Sequence, residues 1–564
     1  MQTTTTPRMQ YLHYDILREI FEQTRDLEGG RRTLAALAHV CKDFQDAALD
    51  VLWHKLDSLE PLLRHFTVIK KQETAEDVTG EEACDCDADD EYHLCETCNV
   101  VYGHDTLILE APISSAEWSK FKTYARRVCH LLLCEKEQWI HPSIFVVVFE
   151  KARGEAVLPS LRNFEWVVDS GSNPGPVLFL PPELRSIEIY CDKDSHQKFF
   201  RWTCHSILRT IHSLCPKLRD ITIDPQLNTS PEELSSFQNL RRLTFARSRK
   251  IDTYRSDLLG ATASLGALET FDTWLPGGVG HETFPTGSDV VSYNALKTLS
   301  LFTESSWCAI ASVLSVISSP RLLSLSIRLQ HTCSGITSIA DELLMGCHDC
   351  GLPMSMNLLA ERWSNCLQIL TLDLEMAHTA EAHIKTLPDF FALLYPLRQL
   401  TRLEVGLGDI VECINSVLGD SDVDMMAASW PKLQYLCIDK AHRWIAIMSI
   451  KSLVSYVYQS RHLKQLEFPV LLLGTPSDPS QTAAEVHTDP PYQFRYLHIH
   501  HLLPIPTSEV SFSCAAVQLC SAFPMLCIGT DTNKCGKKGA FRNCEWEKLS
   551  QAMQLHRNHN TVAM

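Results

Sequence analysis

The chain has 564 residues, 45% of them hydrophobic, and a formal net charge of −17 at pH 7. A chain of this length exceeds one ordinary globular core, so several domains or a repeat array are expected. The negative charge argues against a nucleic-acid-binding protein, because it would repel the phosphates of a nucleic acid.

The N-terminal residues show no targeting signal. The stretch from Met1 to Pro7 is polar, and no apolar run in the chain approaches the length of a membrane-spanning helix. Without a secretion signal, the 22 cysteines are expected to be reduced thiols. We therefore expect a protein of the cytoplasm, the nucleus or both, with no membrane and no nucleic acid among its partners.

A compact helical module is predicted at residues 8–66. Apolar residues at helical spacing indicate three amphipathic helices, and Gly29-Gly30 ends the first of them. The apolar positions are Ile16, Leu17, Ile20 and Phe21, then Leu34, Leu37, Ala38 and Cys41, then Ala48, Leu49, Leu52 and Trp53. A module this small cannot bury all of these side chains, so some are expected to contact a partner.

Three pieces of this module resemble the F-box. They are YLHYDILREIF at residues 11–21, VCKDF at residues 40–44, and Leu52-Trp53. The family usually has a proline after the first leucine, where this chain has His13. The arrangement is most similar to the F-box proteins of mushroom-forming basidiomycete fungi, in which Leu-Trp leads into a stretch like Lys55 to Leu59.

The resemblance implies a function in ubiquitin ligation. F-box helices bind a Skp-type adaptor, which links them to a cullin scaffold and a RING ubiquitin ligase. The adaptor-facing residues would be Leu12, Ile16, Leu17, Ile20, Val40 and Cys41, while Leu52 and Trp53 would brace the helices. The alternative is that the helices only cap a repeat domain, since arrays of repeats need capped ends.

An acidic insert is predicted at residues 67–106. Ten acidic residues and no Lys or Arg lie between Glu73 and Glu91, which favours a solvated, disordered loop. Four cysteines leave a zinc site as the alternative, because one pair has the spacing of a tetrahedral half-site. They are Cys84, Cys86, Cys95 and Cys98. The disordered loop is the default, so no metal or other cofactor is expected.

Residues 107–157 are predicted to be a linker or the first repeat elements. From residue 158 to residue 530, a six-residue phrase recurs along the chain. It consists of an apolar residue, two variable ones, an apolar one, a variable one and an apolar one. Its copies are Leu161/Phe164/Trp166, Leu184/Ile187/Ile189, Leu218/Ile221/Ile223, Leu240/Leu243/Phe245, Leu268/Phe271/Thr273, Leu296/Leu299/Leu301, Leu322/Leu325/Ile327, Leu367/Leu370/Leu372, Leu400/Leu403/Val405, Leu433/Leu436/Ile438, Leu463/Leu466/Phe468, Phe494/Leu497/Ile499 and Phe523/Leu526/Ile528. The last two apolar positions are two residues apart, so they face one side of a strand.

The phrase resembles the leucine-rich repeat. Each unit would be a strand followed by a return segment, and stacking the units would build a curved α/β solenoid. The copies start 22 to 45 residues apart, and the longest interval indicates an insertion near residues 330–360. Residues 531–564 would form a C-terminal cap or tail. The alternative, an α/β domain of unrelated strands, does not explain the repetition.

The outward strand positions are the predicted client-binding surface. In the first twelve copies, five of the twelve residues between the second and third apolar positions are acidic and none is Lys or Arg, which indicates a basic patch on the client. The candidate residues are Glu165, Glu188, Tyr190, Trp274, Phe302 and Arg328. Aromatic residues and arginine are typical anchors of protein contacts.

No catalytic motif is present. The sequence has no Gly-x-x-x-x-Gly-Lys phosphate loop, no Gly-x-Ser-x-Gly elbow and no His-Glu-x-x-His zinc helix. We therefore expect a non-catalytic protein, the substrate-recognition subunit of an SCF-type ubiquitin ligase. The alternative is a leucine-rich-repeat scaffold whose front helices are only a cap.

Overall fold

The computed structural model describes most of the chain in separate stretches. These are residues 13–72, 106–135, 139–168, 174–191, 197–224, 230–246, 256–275, 290–303, 307–330, 351–375, 387–406, 420–439, 448–473, 496–504, 527–528 and 551–555, with single residues 418, 494 and 519. Contacts divide the chain into two compact units, Met1–Arg249 and Lys250–Met564. Each unit is described by itself.

The first unit begins with three helices: α1 (Tyr14–Arg25), α2 (Gly30–Leu37) and α3 (Lys42–His54). Their shared core contains Leu17, Phe21, Leu34, Ala38, Ala47, Ala48 and Val51. The rings of Phe21 and Phe44 meet edge to face with their centroids 5.6 Å apart. The helical module predicted for this segment is therefore present, and α1 begins directly after His13 although the proline typical of the F-box is absent.

Two glycines make the turn between α1 and α2. Gly29 has a φ of +73°, in the left-handed region that favours glycine. A Cβ atom on Gly30 would lie 2.1 Å from the carbonyl oxygen of Thr24 and 2.7 Å from that of Arg25. Because those oxygens belong to the backbone of α1, α2 can start this close to α1 only with glycine at position 30.

Short elements follow the helices. They are β1 (Lys55–Leu56), α4 (Glu60–Leu63), β2 (Ile69–Gln72), β3 (Thr106–Leu109), α5 (Ser115–Ala125), β4 (His130–Cys134), β5 (Trp139–Ile140) and α6 (Pro142–Ala152). Strand β2 pairs antiparallel with β3, which pairs in parallel with β5. Both ends of the predicted insert at 67–106 are thus β-strand, and the insert proper is shorter than predicted. Residues 73–105, which include all four zinc candidates, lie outside the described residues.

A parallel sheet runs through the rest of the first unit, in the order β1-β4-β6-β7-β8-β9. The later strands are β6 (Asn163–Val168), β7 (Ser186–Cys191), β8 (Asp220–Ile223) and β9 (Arg242–Phe245), joined by a 3-10 helix (Gly175–Phe179), α7 (Gln197–Leu214) and α8 (Pro231–Ser235). The sheet starts at β1, about a hundred residues before the predicted beginning of the repeats at 158. A further copy of the phrase, Val128/Leu131/Leu133, underlies β4, and all three of its side chains are buried.

The second unit is a parallel sheet of the same kind. Its strands are β10 (Thr270–Leu275), β11 (Val291–Ser292), β12 (Thr298–Thr303), β13 (Ile317–Ser318), β14 (Ser324–Gln330), β15 (Ile369–Glu375), β16 (Arg402–Gly406), β17 (Tyr435–Asp439), β18 (Met448–Ser449), β19 (Gln465–Leu473), β20 (Tyr496–Pro504) and β21 (Cys527–Ile528). Its helices are α9 (Ser256–Ala263), α10 (Trp307–Val316), α11 (Gly351–Trp363), α12 (Leu387–Ala392), α13 (Asp420–Ser429) and α14 (Ile450–Gln459). The order is β10-β12-β14-β15-β16-β17-β19-β20-β21, with β18 beside β19 and β11 paired with β13.

The repeating phrase sets the register of both sheets. Its second apolar residue aligns from strand to strand, as Leu299 aligns with Leu325 and Leu325 with Leu370. In the copies from Leu161 to Leu497, the apolar residues of the phrase whose burial the structure describes are all buried. This burial is the main apolar contribution to stability, because a fully buried Leu or Ile contributes about 1.5–3 kcal/mol. The predicted α/β fold with leucine-rich-repeat-like coils is confirmed.

Two details of the repeat differ from the prediction. Residues 351–360, assigned to an insertion, belong to α11, which packs on α10 and buries Met356, Leu359 and Trp363. They are the return helix of a coil, so only residues 331–350 are left of the predicted insertion, and these lie outside the described residues. In the last copy, Ile528 rather than Leu526 aligns with Leu497, which moves the phrase two residues later.

The weakest copy of the phrase leads to a stability prediction. Thr273 occupies its third apolar position, is fully buried, and its hydroxyl has no hydrogen-bond partner. Replacing it with valine keeps the shape and removes the unpaired hydroxyl, so we expect Thr273→Val to raise the free energy of unfolding by about 1 kcal/mol. The measurement is the midpoint of urea unfolding.

A second buried threonine is the matched control. The Thr262 hydroxyl lies 3.0 Å from the carbonyl oxygen of Leu259 and 2.8 Å from the Tyr293 hydroxyl. Thr262→Val removes these bonds, and we expect it to lower the midpoint. A lower midpoint for Thr273→Val would contradict the assignment of an unpaired hydroxyl.

Candidate protein-binding surfaces

The first candidate surface is the exposed apolar part of the helical module. Ile16, Ile20 and Val40 are 52%, 48% and 64% exposed, although large aliphatic side chains usually lie in the core. Ile16 and Ile20 are one helical turn apart on α1 and therefore share a face. Cys41, the N-cap of α3, is also exposed, whereas Leu12 lies outside the described residues.

One residue assigned to this surface is placed elsewhere. Leu17 is 3% exposed and belongs to the core of the module, so it cannot contact an adaptor in this packing. The apolar stripe of α1 covers more than one face, and the packing of α2 and α3 decides which side of it becomes core. Val40 and Cys41 lie outside that core, in the connection between those two helices.

An ion-pair cluster joins the helical module to the coils of the first unit. The Arg127 side chain, 8% exposed, lies between α5 and β4 and bonds the carboxylates of Asp46 and Asp50 on α3. The Tyr14 hydroxyl donates a hydrogen bond to Asp50 from α1. Burial, together with this hydrogen bond, raises the pKa of Tyr14 to about 12, so the hydroxyl keeps its proton at neutral pH.

Aromatic contacts strengthen the same junction. The ring of Trp53 lies over that of Tyr124 at 4.7 Å, and the His65 ring stacks on Tyr124 at 4.6 Å. Trp53 was expected to brace the helices, and it also contacts α5. Together with Arg127, these rings hold α3 against the segment that precedes β4. This connection was not visible in the sequence, because its partners are about 60 to 80 residues apart in the chain.

A cavity of about 390 Å³ lies where α1 meets the first strands. Its walls include Glu22 and Arg25 of α1, and His54, His130, Glu165 and Glu188. The two histidine rings are 5.0 Å apart, and burial lowers the pKa of both, so they are neutral at pH 7.

Two carboxylates face each other in the sheet beside this cavity. Glu165 on β6 aligns with Glu188 on β7, and the Tyr190 hydroxyl donates a hydrogen bond of 2.6 Å to Glu188. Partial burial, followed by the charge of Glu188, raises the pKa of Glu165 above its usual value. Three of the predicted client-binding residues are therefore adjacent, and the like charges of the two glutamates favour a cationic group on a partner.

The other three predicted client-binding residues are adjacent on the second unit. The rings of Trp274 and Phe302 stack with centroids 6.0 Å apart and planes 6° apart. The Arg328 guanidinium lies 5.4 Å from the Phe302 ring centroid, and its Nε is 2.9 Å from a carboxylate oxygen of Asp373. These four residues align on successive strands β10, β12, β14 and β15.

One residue of this row is not available to a partner. Trp274 was predicted to be exposed, but only 6% of it is, so the prediction is wrong for that residue. The ring stacks on Phe302 and is almost fully covered in the folded chain, which the alternation of strand faces does not predict. Phe302 is half-buried and Arg328 is exposed, so this pair presents the accessible part of the row.

Among the described residues we find neither a candidate metal site nor a candidate membrane-spanning helix. Within this part of the chain, no group of three or more His, Cys, Asp or Glu side chains could hold a metal ion. No described helix is long and apolar enough to cross a bilayer.

Comparisons with known proteins find only distant structural similarity. No protein-family model matches the sequence, and no curated protein matches it. Among solved structures, an internalin from Listeria monocytogenes is similar at 13% identity over 69% of this chain and 95% of its own, with a TM-score of 0.32. The structure of a Rad7 and Elc1 complex in yeast is similar at 14% identity over 76% of this chain and 90% of that one, with a TM-score of 0.35. Likenesses this distant assign no function to the chain.

Proposed function

We propose that this protein is the substrate-recognition subunit of an SCF-type E3 ubiquitin ligase. The helical module binds a Skp-type adaptor, and the coils bind a protein client. The observation that carries the proposal is the exposure of Ile16, Ile20 and Val40 on a module whose other large apolar side chains are mostly buried. These residues stand at adaptor-facing positions of the F-box pattern.

Covering this surface would contribute to the affinity for a partner. Fully burying an aliphatic side chain contributes about 1.5–3 kcal/mol, and a few such anchors dominate most protein interfaces. The three residues are already about half exposed in the free chain, so a partner could cover them without unfolding the module. A helical cap without a partner would gain nothing from leaving them in water.

The chain would act by holding a client, not by transferring ubiquitin. Transfer belongs to the cullin and RING subunits reached through the adaptor, and this chain raises the client's effective concentration there. The ion pairs of Arg127 with Asp46 and Asp50 support this role, because they tie the adaptor-binding helices to the first coils. A client bound on these coils would be held at a defined distance from the adaptor.

The test is direct binding between the purified full chain and a purified Skp-type adaptor. We expect a stable complex that also recovers a cullin when the cullin is added. A chain that binds no adaptor would overturn the proposal and leave the repeat scaffold with a helical cap. The residue-level version of this test is the variant pair described in the Discussion.

The carboxylates of the first coils should favour a basic client segment. Glu165→Lys with Glu188→Lys reverses the charge beside the cavity, so we expect a fluorescein-labelled lysine-rich peptide to bind this variant at least tenfold more weakly. Fluorescence anisotropy at several salt concentrations measures the affinity. We also expect the natural chain to lose affinity as the pH falls toward the raised pKa of Glu165, because the protonated carboxyl no longer attracts a cation.

A second double variant is the matched control for this charge reversal. Glu404→Lys with Glu467→Lys changes the net charge of the chain equally, at the same strand position of the second unit. We expect it to reduce binding less than twofold. Equal losses from the two double variants, or binding that salt does not weaken, would contradict the local site.

A further inference from the structure

Four arginines form a row at the N-terminal ends of successive strands in the first unit's sheet. Arg162, Arg185, Arg219 and Arg241 each directly precede a strand of that sheet, from β6 to β9. The backbone N–H of each of the last three donates to the carbonyl oxygen of the preceding arginine, at 2.9, 2.8 and 2.7 Å. The four residues are therefore in register on four successive coils, and we call them the arginine row.

The fold does not require arginine at this position. The same hydrogen-bond pattern in the second unit places Glu269, Lys297, Leu323, Gln368, Thr401, Gln434 and Lys464 there. Acidic, basic, apolar and neutral residues are thus all tolerated. Arg185, Arg219 and Arg241 are exposed and Arg162 is half-buried, so the row also adds little to the core.

The surroundings of the arginine row are mainly basic. Lys217 lies near it and bonds Glu183 at 2.5 Å, and Arg242 follows Arg241 at the start of β9. The acidic residues close to the row in sequence are Glu183 and Asp220, so six cationic side chains adjoin two carboxylates. The hydrogen bond from Lys217, followed by the charges of Arg162 and Arg185, lowers the pKa of the Glu183 carboxyl, so one carboxylate already offsets part of the positive charge. Neighbouring strands are about 4.8 Å apart, which keeps the remaining charge of the row concentrated. A concentrated positive stripe is unexpected in a chain with a net charge of −17.

We propose that the arginine row is a docking surface for an extended acidic segment of a protein partner. Four positions about 4.8 Å apart span about 14 Å, the length of four or five residues of extended peptide. Guanidinium groups bind carboxylates through two parallel hydrogen bonds, which suits a run of Asp or Glu side chains. The surface is distinct from the helical module, so binding here does not depend on an adaptor.

A nucleic acid fits this surface less well than an acidic peptide. The basic stripe is only one residue wide, and Glu165 and Glu188 lie three residues further along strands β6 and β7. A nucleic acid laid across the coils would bring its phosphates against those carboxylates. A short peptide needs only the row itself, because at physiological salt charges more than about 8 Å away are largely screened.

The test uses the full chain and a fluorescein-labelled decapeptide of alternating Glu and Ser. We expect fluorescence anisotropy to show binding that weakens between 50 and 200 mM salt, both set as measurement conditions. Arg185→Glu with Arg219→Glu is expected to weaken it at least tenfold. The matched control, Lys297→Glu with Lys464→Glu, makes the same charge change at equivalent positions of the second unit and should weaken it less than twofold.

Two further measurements make the outcome decisive. Arg185→Gln with Arg219→Gln removes the charge without adding carboxylates, and we expect it to lose most of the affinity with an unchanged circular dichroism spectrum and melting temperature. No peptide binding by the natural chain, or equal affinity in the Gln variant, would overturn the proposal. Tighter binding of a ten-nucleotide single-stranded DNA that the same substitutions abolish would also overturn it, in favour of a nucleic-acid surface.

Discussion

Replacing Ile20 and Val40 together with aspartate is expected to abolish binding of a Skp-type adaptor while the chain stays folded. Both side chains are about half or more exposed, so the free protein accepts aspartate at either position. In a complex, each carboxylate would be buried against apolar surface without a partner, which costs several kcal/mol. Two such penalties exceed the gain from the remaining contacts. Isothermal titration calorimetry with the purified adaptor measures the loss, and thermal melting checks the fold.

The control for this variant is a second exposed apolar pair on the first unit. Val146 and Phe149 on α6 are 45% and 41% exposed, and neither belongs to the helical module. Val146→Asp with Phe149→Asp should leave adaptor binding within twofold of the natural chain. Loss of binding in both double variants would indicate a general effect of added charge, and retention in both would remove the helical module as the adaptor site.

Replacing Gly30 with alanine is expected to unfold the helical module, the second large effect. The new Cβ would lie 2.1 Å from one backbone carbonyl oxygen of α1 and 2.7 Å from the next. Backbone oxygens at the end of a helix cannot move aside as a flexible side chain could, so α2 must shift and open the core between Phe21 and Leu34. We expect a loss of several kcal/mol, similar to the removal of a large core side chain, and with it the loss of adaptor binding.

A helical glycine without close neighbours is the matched control. Gly260 lies inside α9, and a Cβ atom there would meet nothing within 4 Å. Gly260→Ala is expected to stabilise the second unit by about 0.5–1 kcal/mol, since alanine favours helix over glycine. Urea unfolding followed by circular dichroism separates the two results. If Gly30→Ala behaved like Gly260→Ala, the close approach of α2 to α1 would be wrong.

The repeat was predictable because its signal is local. Two apolar residues spaced two apart specify one face of a strand, and the same pair at Leu299/Leu301 and Leu325/Ile327 specifies the same face again. Stacking then follows, since no single unit can bury its own apolar side. The copy at Val128/Leu131/Leu133 carries the same signal but stands alone in the sequence. The neighbouring strand β1 has apolar residues at only two of the three phrase positions, Trp53 and Leu56, and the insert separates the two strands along the chain.

The candidate sites were only partly predictable, because burial depends on neighbours. The apolar pattern of α1 shows that Ile16, Leu17 and Ile20 are apolar, but the packing of α2 and α3 decides that Leu17 becomes core while the others stay in water. Strand alternation places Trp274 and Phe302 on the same face, yet the folded chain covers the tryptophan and leaves the phenylalanine half-buried. Neither difference in burial can be predicted from the spacing of the residues in the sequence.

By itself, the amino-acid sequence determined the order of a helical module and stacked coils, since turns, helical spacing and strand alternation act over a few neighbouring residues. Only the tertiary structure decided which side chains meet across the chain. The Leu-Arg pairs that begin four coils are legible in the sequence, but hydrogen bonds between strands bring their arginines into one row. In the same way, Arg127 reaches Asp46 and Asp50 because folding closes a loop of about eighty residues between them.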